Sequence, residues 1–365
     1  MRLSVSNGYV EIARLQGGLR GGGGGENAKG QQSIAKAIEN ARKLADAQPD
    51  NRDARRVLGG ANLELASLTY RAGDPAKALE HLTSARDVVD ALVKSDPKDL
   101  KARRLQCSIA DRTGECREAL KDRAIAAAAF EESLNLRRKL YEEARDDPAL
   151  GRNIRRDYAT GLNRSVGTLR DDKKLDEALA LLQQVIAIRR ELAASPSKED
   201  DARSKRDLAQ SLSVAADLNL NLDKADEARA FVDELAPITR ALREADPTNP
   251  RTQADMARLA ELQGRVLFEK GDARAAAAEF DDMLTTAQRL LTADPTAANQ
   301  RLFIAGLAWL NDALVKNSER DAAITRTERA ARTIDELIQK NPDNKTLAEV
   351  GDTVRKELTE LHEAK

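Results

Sequence analysis

Apolar residues in this chain return every three or four positions along stretches separated by short polar breaks. Ala78, Leu82, Ala85, Val89 and Leu92 form one such stripe. Leu175, Ala178, Leu182, Val185 and Leu192 form a second, and Ala276, Phe280, Met283 and Leu290 a third. This spacing puts each set on one face of an α-helix and leaves the charged residues on the other. The breaks are of two kinds. Seven of the ten prolines make a ladder, Pro49, Pro97, Pro148, Pro196, Pro247, Pro295 and Pro342, with gaps of 48, 51, 48, 51, 48 and 47 residues. Proline lacks the N–H and clashes with the preceding turn, so each rung stops a helix, and the nearby Asp and Asn can cap the next. A second break falls near the middle of each interval, as at Gly73-Asp74-Pro75, Lys121-Asp122, Lys173-Lys174, Asp223-Lys224, Gly271-Asp272 and Asn317-Ser318.

Each interval therefore reads as a hairpin of a first and a second helix, at 49–97, 98–148, 149–196, 197–247, 248–295 and 296–342. A lone hairpin cannot bury its stripe, whereas stacked hairpins can. The expected fold is all-α, an α-solenoid of stacked antiparallel helix hairpins over 49–343. Residues 344–365 should form a C-terminal capping helix. Residues 1–48 read as an atypical first hairpin, with a short helix near Leu3–Leu15, a flexible loop through Gly17, Gly18 and Gly21–Gly25, and a helix over Gln31–Ala47.

Composition agrees with helix. Ala, Leu, Arg, Glu, Asp and Lys dominate, and aromatics are 3%. With 33% charged and 41% hydrophobic residues, the chain is neither disordered nor membrane-embedded by composition. Its 60 basic and 61 acidic residues nearly cancel. The basic clusters Arg137, Arg138, Lys139 and Arg152, Arg155, Arg156 have acidic neighbours, so they read as charge-paired surface and nucleic acid is not an expected partner. The longest uncharged run, Ala178–Ile188, falls well short of the roughly 20 residues a membrane helix needs. Met1–Val10 lacks the apolar core of a signal peptide. A cytoplasmic location is expected, or an extracytoplasmic one if the chain is a piece of a membrane-anchored parent. The oligomeric state stays open.

Catalytic chemistry is not evident. Gly25 and Gly30 have the four-residue gap of a phosphate loop, but Gln31-Gln32 stand where Lys and Ser or Thr are required. His81 and His362 lack a zinc-spaced ligand set and read as boundary or surface residues. Asp146-Asp147 and Asp171-Asp172 fall in predicted turns, where capping explains them better than acid–base work. Cys107 and Cys116 lie about 13 Å apart on one helix, too far for a disulfide. Pro237 interrupts a second helix and should kink it. Trp309, among Phe303, Leu307 and Leu310, reads as core. The expectation is a chain with no enzymatic activity, metal or cofactor.

Leu262-Gln263-Gly264, Gly271-Asp272, Ala276, Phe280 and Asp294-Pro295 resemble the tetratricopeptide repeat, which sets small residues where the two helices touch, an aromatic on the second helix and a closing proline. Ala66, Gly73, Ala78, Leu82, Ala85 and Pro97 repeat the pattern, as do Gly114, Ala126 and Phe130. The units are longer than usual. Val185–Leu192 and the opening Tyr9, Leu15-Gln16-Gly17, Asn27, Gly30, Ser33 and Ala37 resemble the repeats attached to bacterial serine/threonine protein kinases, although no kinase catalytic text is present.

The resemblance implies a right-handed superhelix whose first helices line a concave surface that takes a peptide or partner helix. Projecting the face of each first helix away from its second helix selects Leu63, Ser67, Tyr70, Asp111, Glu115, Glu118, Asn163, Ser213, Asp217, Leu220, Glu261, Arg265, Phe268 and Asp312 as candidate partner-binding residues. The set leans acidic and suits a basic partner. The function implied is a non-catalytic protein–protein interaction scaffold. The alternative is a sensory or regulatory repeat segment of a bacterial serine/threonine kinase whose catalytic domain is absent from this chain.

Overall fold

Helix capping and proline placement fix the elements before any packing is considered. The computed structural model describes residues 8–12, 24–195 and 201–363. Among these, the elements are α1 (Gly24–Ala47), α2 (Arg52–Arg71), α3 (Pro75–Ser95), α4 (Leu100–Ala119), α5 (Arg123–Ala144), α6 (Gly151–Asp171), α7 (Leu175–Ala194), α8 (Asp201–Leu220), α9 (Ala225–Ala245), α10 (Pro250–Glu269), α11 (Ala273–Ala293), α12 (Ala297–Lys316), α13 (Arg320–Lys340) and α14 (Lys345–Glu363). Residues 8–12 are also helical, and no strand occurs among the described residues. The fold is all-α and built of tetratricopeptide-like helix hairpins.

Helix starts follow the sequence closely. Asn51, Asp74, Asp99, Asn249, Asp272 and Thr296 each accept a backbone N–H of the first turn. Pro75 and Pro250 occupy the first helical position, where a missing N–H is harmless. At the N-terminus the expectation fails: α1 begins at Gly24, not Gln31, so Gly25 and Gly30 are helical and form no phosphate loop. The other predicted loop glycines, and most of the Leu3–Leu15 helix, lie outside the described residues. Pro237 is exposed, and α9 continues through it from Ala225 to Ala245 without a break.

All six turns inside the hairpins share one geometry. A single residue adopts a left-handed conformation at Gly73, Lys121, Lys173, Asp223, Gly271 and Ser318. The next N–H reaches back five residues to close the first helix, as Asp74 to Thr69, Lys174 to Leu169 and Asp272 to Leu267. Four of these six positions carry a side chain at positive φ, a strain of about 1–2 kcal/mol each.

The chain divides into two compact units, Met1–Arg164 and Ser165–Lys365, with the division inside α6. Within each unit consecutive helices pack, as α2 on α3, α4 on α5, α8 on α9 and α10 on α11, and successive first helices also touch, as α2 on α4, α8 on α10 and α12 on α14. In the first unit Ala66, Leu82, Val89, Ile109 and Cys116 share a core. In the second, Phe280, Leu284, Phe303, Leu307, Ile334, Leu347 and Val350 do. The small-against-large contact implied by the repeat pattern is present. A Cβ on Gly264 would come within 2.5 Å of the Phe280 ring, and Gly114 meets Phe130 in the same way.

Bonds between neighbouring hairpins recur at nearly the repeat spacing. Arg86 pairs with Glu132, Arg190 with Glu234, Lys224 with Asp176, Lys270 with Asp226 and Arg326 with Asp281. The tightest knot is Asp99, whose Oδ2 accepts from Arg52 and Arg56 at 2.9 Å while Oδ1 accepts the Ala102 N–H. Burial alone would raise this carboxyl, but the hydrogen bonds from Arg56, Ala102 and Arg52 outweigh it and hold it at about 2.

Three outcomes follow for denaturation monitored by circular dichroism. Lys173→Gly should stabilise by about 0.5–1 kcal/mol, the relief of left-handed strain less glycine's extra chain entropy, whereas Gly264→Ala should destabilise by about 1–3 kcal/mol because the fully buried Phe280 cannot retreat. Asp99→Asn keeps the cap but loses the charge. Because the folded carboxyl titrates below its unfolded value, wild type should exceed this variant in stability above about pH 4, and the difference should vanish as pH falls through about 2.

Candidate partner-binding surface

Each first helix shows its second helix one face, its neighbouring first helices two flanks, and solvent what remains. The second contact was invisible to the sequence projection, which considered one partner helix per element. Its consequence is that several projected residues are not free surface. Ser67, Leu220 and Glu261 are buried. The Ser67 hydroxyl donates to the Leu63 carbonyl at 3.0 Å, and Leu63 and Tyr70 pack against the Ala66–Leu82 core. Asn163 and Ser213 are half-buried, while Glu118 and Asp312 are exposed.

The acidic members are mostly neutralised from within. In the first unit Asp111 pairs with Arg137, which reaches over from α5 and is itself buried. Glu115 pairs with Arg112 on its own helix and accepts from Arg164 of α6 at 2.7 Å. The Arg164 guanidinium lies 4.2 Å from the Phe130 ring centre, and that of Arg112 5.5 Å from Tyr70. Charge and aromatic face thus brace each other.

The second unit repeats the device around Asp217, which receives Arg265 at 2.6 Å, Arg258 at 3.0 Å and Arg170 at 3.4 Å. Burial pushes the Asp217 carboxyl up, but Arg258 and Arg265 more than reverse this and leave it below the usual carboxylate range. Arg258 also holds Glu261 at 2.6 Å. Arg265 extends to Asn221 and lies 5.4 Å from the Trp309 ring centre. Trp309 stacks on Phe280 at 5.5 Å and meets Phe268 edge-on at 6.2 Å, so it braces core and surface together. Lys316 lies over Phe268 at 3.9 Å.

The arginines Arg137, Arg164, Arg170 and Arg258 were missed by the sequence projection. A signal existed: Glu115 and Arg164 are separated by 49 residues, Asp217 and Arg265 by 48. These are one repeat, so an acid and an arginine in the same column of aligned repeats mark a pair.

Several clefts open on the second unit. One of about 230 Å³ is bordered by Arg170, Arg206, Ser213, Asp217, Asp255 and Arg258. Another, of about 590 Å³, lies between α12 and α14 and is bordered by Phe268, Asp312, Val315, Lys316, Glu357 and Leu361. Among the described residues no group of three or more His, Cys, Asp or Glu could hold a metal. Cys107 and Cys116 are buried thiols that burial pushes up to about 12 and about 11. Burial likewise lowers His81, with Lys77 adding to the shift. Asp147 caps α6, accepting N–H groups from Ala149 and Leu150. No helix among the described residues is long and apolar enough to cross a membrane.

Replacing Asp111 by Asn should leave the Arg137 cation buried without a counter-charge and lower stability by about 3–5 kcal/mol in urea denaturation. Arg137→Met combined with Asp111→Leu should recover most of that loss, because both charges then leave together.

No known family model matches the chain, and no curated protein matches it. Solved structures do. BtubC (BKLC) from P. vanneervenii is 20% identical over 72% of this chain and 90% of its own, with a TM-score of 0.53. The S. pombe nuclear import adaptor Nro1 is 11% identical over 83% of this chain and 98% of its own, with a TM-score of 0.54. A tetratricopeptide repeat protein from Parabacteroides merdae is 14% identical over 96% of this chain and 99% of its own, with a TM-score of 0.38. At such identities the likeness is one of fold, and that fold is an α-solenoid of tetratricopeptide-like helix hairpins.

Proposed function

We propose that this chain is a protein-interaction scaffold that receives a peptide or partner helix on the first-helix faces of its units. The observation that carries this reading is the bracing of half-exposed aromatic side chains on rigid helices. Tyr70 is held by its core contacts and Arg112, and Phe268 by Trp309 and Lys316. Pre-ordered aromatics contribute binding energy with little loss of side-chain entropy, and they anchor many interfaces. The ionisable groups beside them are tied into Arg–carboxylate pairs, an arrangement that gives orientation and specificity. Adaptor function in the Nro1 structure belongs to that protein and serves here only as a precedent for the fold.

The test is to pan a displayed peptide library against the immobilised full chain and measure the enriched peptides by fluorescence anisotropy. Tyr70→Ala or Phe268→Ala, at unchanged helicity, should weaken binding about tenfold or more. Failure to enrich any peptide, or enriched peptides that bind both variants as tightly as wild type, would overturn the reading.

A further inference from the structure

Several carboxylates of the second unit are met by a cation. Asp217 has three arginines, Glu261 has Arg258, Asp281 has Arg326 and Asp226 has Lys270. The cleft between α12 and α14 differs. Among the described residues Asp312 makes no hydrogen bond or ion pair, and Glu357 accepts only a side-chain amide, from Asn311 at 2.6 Å. The reason lies in the repeat. Asp217 meets Arg265 48 residues later. One such step beyond Asp312 stands Glu360, so the column supplies a third acid where an arginine is due. The lysines nearby are engaged: Lys316 covers the Phe268 ring and donates to its carbonyl, and Lys356 lies 3.6 Å from Glu360. Arg320 stands at the border and has contacts of its own.

A second observation concerns Asn311, which borders the same cleft and is 3% exposed. Its Nδ2 donates to Thr327 Oγ1 at 2.8 Å as well as to Glu357. The Thr327 hydroxyl is already donating to the Ala323 carbonyl, which fixes the amide's orientation. Asn311 Oδ1 is then a buried acceptor with no donor, a condition that ordinarily costs about 1–3 kcal/mol. The cleft is therefore bordered by the exposed Asp312 and the half-buried Glu357, with the unmatched acceptor of Asn311 buried at its edge, beside an apolar wall of Phe268, Val315 and Leu361. Burial raises both carboxyls above their usual range, and for Glu357 the nearby Asp312 and Glu360 add to this. That is the expected response of acids lacking their counter-charge.

We propose that this cleft takes the lysine or arginine side chain of a partner protein segment, its charge set between Asp312 and Glu357 and an adjoining apolar residue packed on Phe268, Val315 and Leu361. The incoming cation supplies the charge that the next hairpin supplies elsewhere in the unit. The apolar wall is why a peptide fits better than a bare polyamine, which has no side chain to place there. The proposal rests on the scaffold reading and gives it a partner chemistry.

The test uses the full chain and a fluorescein-labelled peptide containing Leu-Arg-Phe, followed by anisotropy. The same peptide with citrulline for arginine, one with glycine for both flanking residues, and unlabelled spermidine as competitor complete the set. The arginine peptide should bind at least tenfold tighter than the citrulline and glycine-flanked peptides, and spermidine should compete weakly. Asp312→Asn with Glu357→Gln, which preserves shape and the Asn311 bond, should abolish the preference for arginine at unchanged melting temperature. Glu360→Gln, at an exposed position, should reduce it less. Equal binding of the arginine and citrulline peptides, no binding of either, or an unaltered preference in the double variant would overturn the proposal. So would spermidine competing as well as the peptide. If library peptides sensitive to Tyr70→Ala are still captured in those cases, the scaffold reading stands and only the cleft assignment falls.

Discussion

Everything in this protein follows from a hairpin that cannot hide its own apolar stripe. Two antiparallel helices bury the faces they turn to each other, but the Ala78–Leu92 and Ala276–Leu290 stripes are wider than one partner covers. The neighbouring hairpin completes the burial, which is why Ile109 and Cys116 join the Ala78, Leu82 and Val89 core, and why Phe303 and Leu307 join that of Phe280. Such a unit grows by adding neighbours, and each addition must arrive at a fixed offset or the stripe stays wet. Where glycine faces an aromatic ring, as at Gly264 and Gly114, the two helices approach closely enough that no larger residue fits.

The offset is set by polar chemistry. Arginines and carboxylates one repeat apart bond across the hairpin boundary, and several are part-buried, so a shift of one helical turn would leave charges without partners. Exposed pairs such as Arg86 with Glu132 add little energy on their own. Asp99 and Asp217 matter more, because their side chains are shielded and the arginines meeting them cannot leave without stranding a charge. The same pairs explain why several acids that look exposed in sequence meet an arginine once folded.

Function is then a question of what the repeat leaves unfinished. Residues tied into the ladder serve the fold. Tyr70 and Phe268 serve it only in part, and Asp312 and Glu357 stand outside it. α14 carries Glu360 where the column calls for a cation, so the place beside Asp312 is left without one.

The sequence by itself determined the elements. Prolines, caps and the 3.6-residue period act over a few residues, so the helices end close to where the ladder of Pro49 to Pro342 places them, and the all-helical hairpin architecture was legible from those signals. The buried stripes were legible for the same reason. Local text was weaker at the turns, where Lys121, Lys173, Asp223 and Ser318 adopt a glycine-like conformation without being glycine, and at α1, which starts inside the glycine run. Tertiary structure alone decided which surface is free. Ser67, Leu220 and Glu261 were projected outward and are buried, and Glu115 and Asp217, projected onto a partner-binding face, are paired with arginines. Exposure and pairing on a first helix depend on the lateral distance and offset of the next first helix. Many distant contacts together fix that quantity, and no short stretch of the chain encodes it.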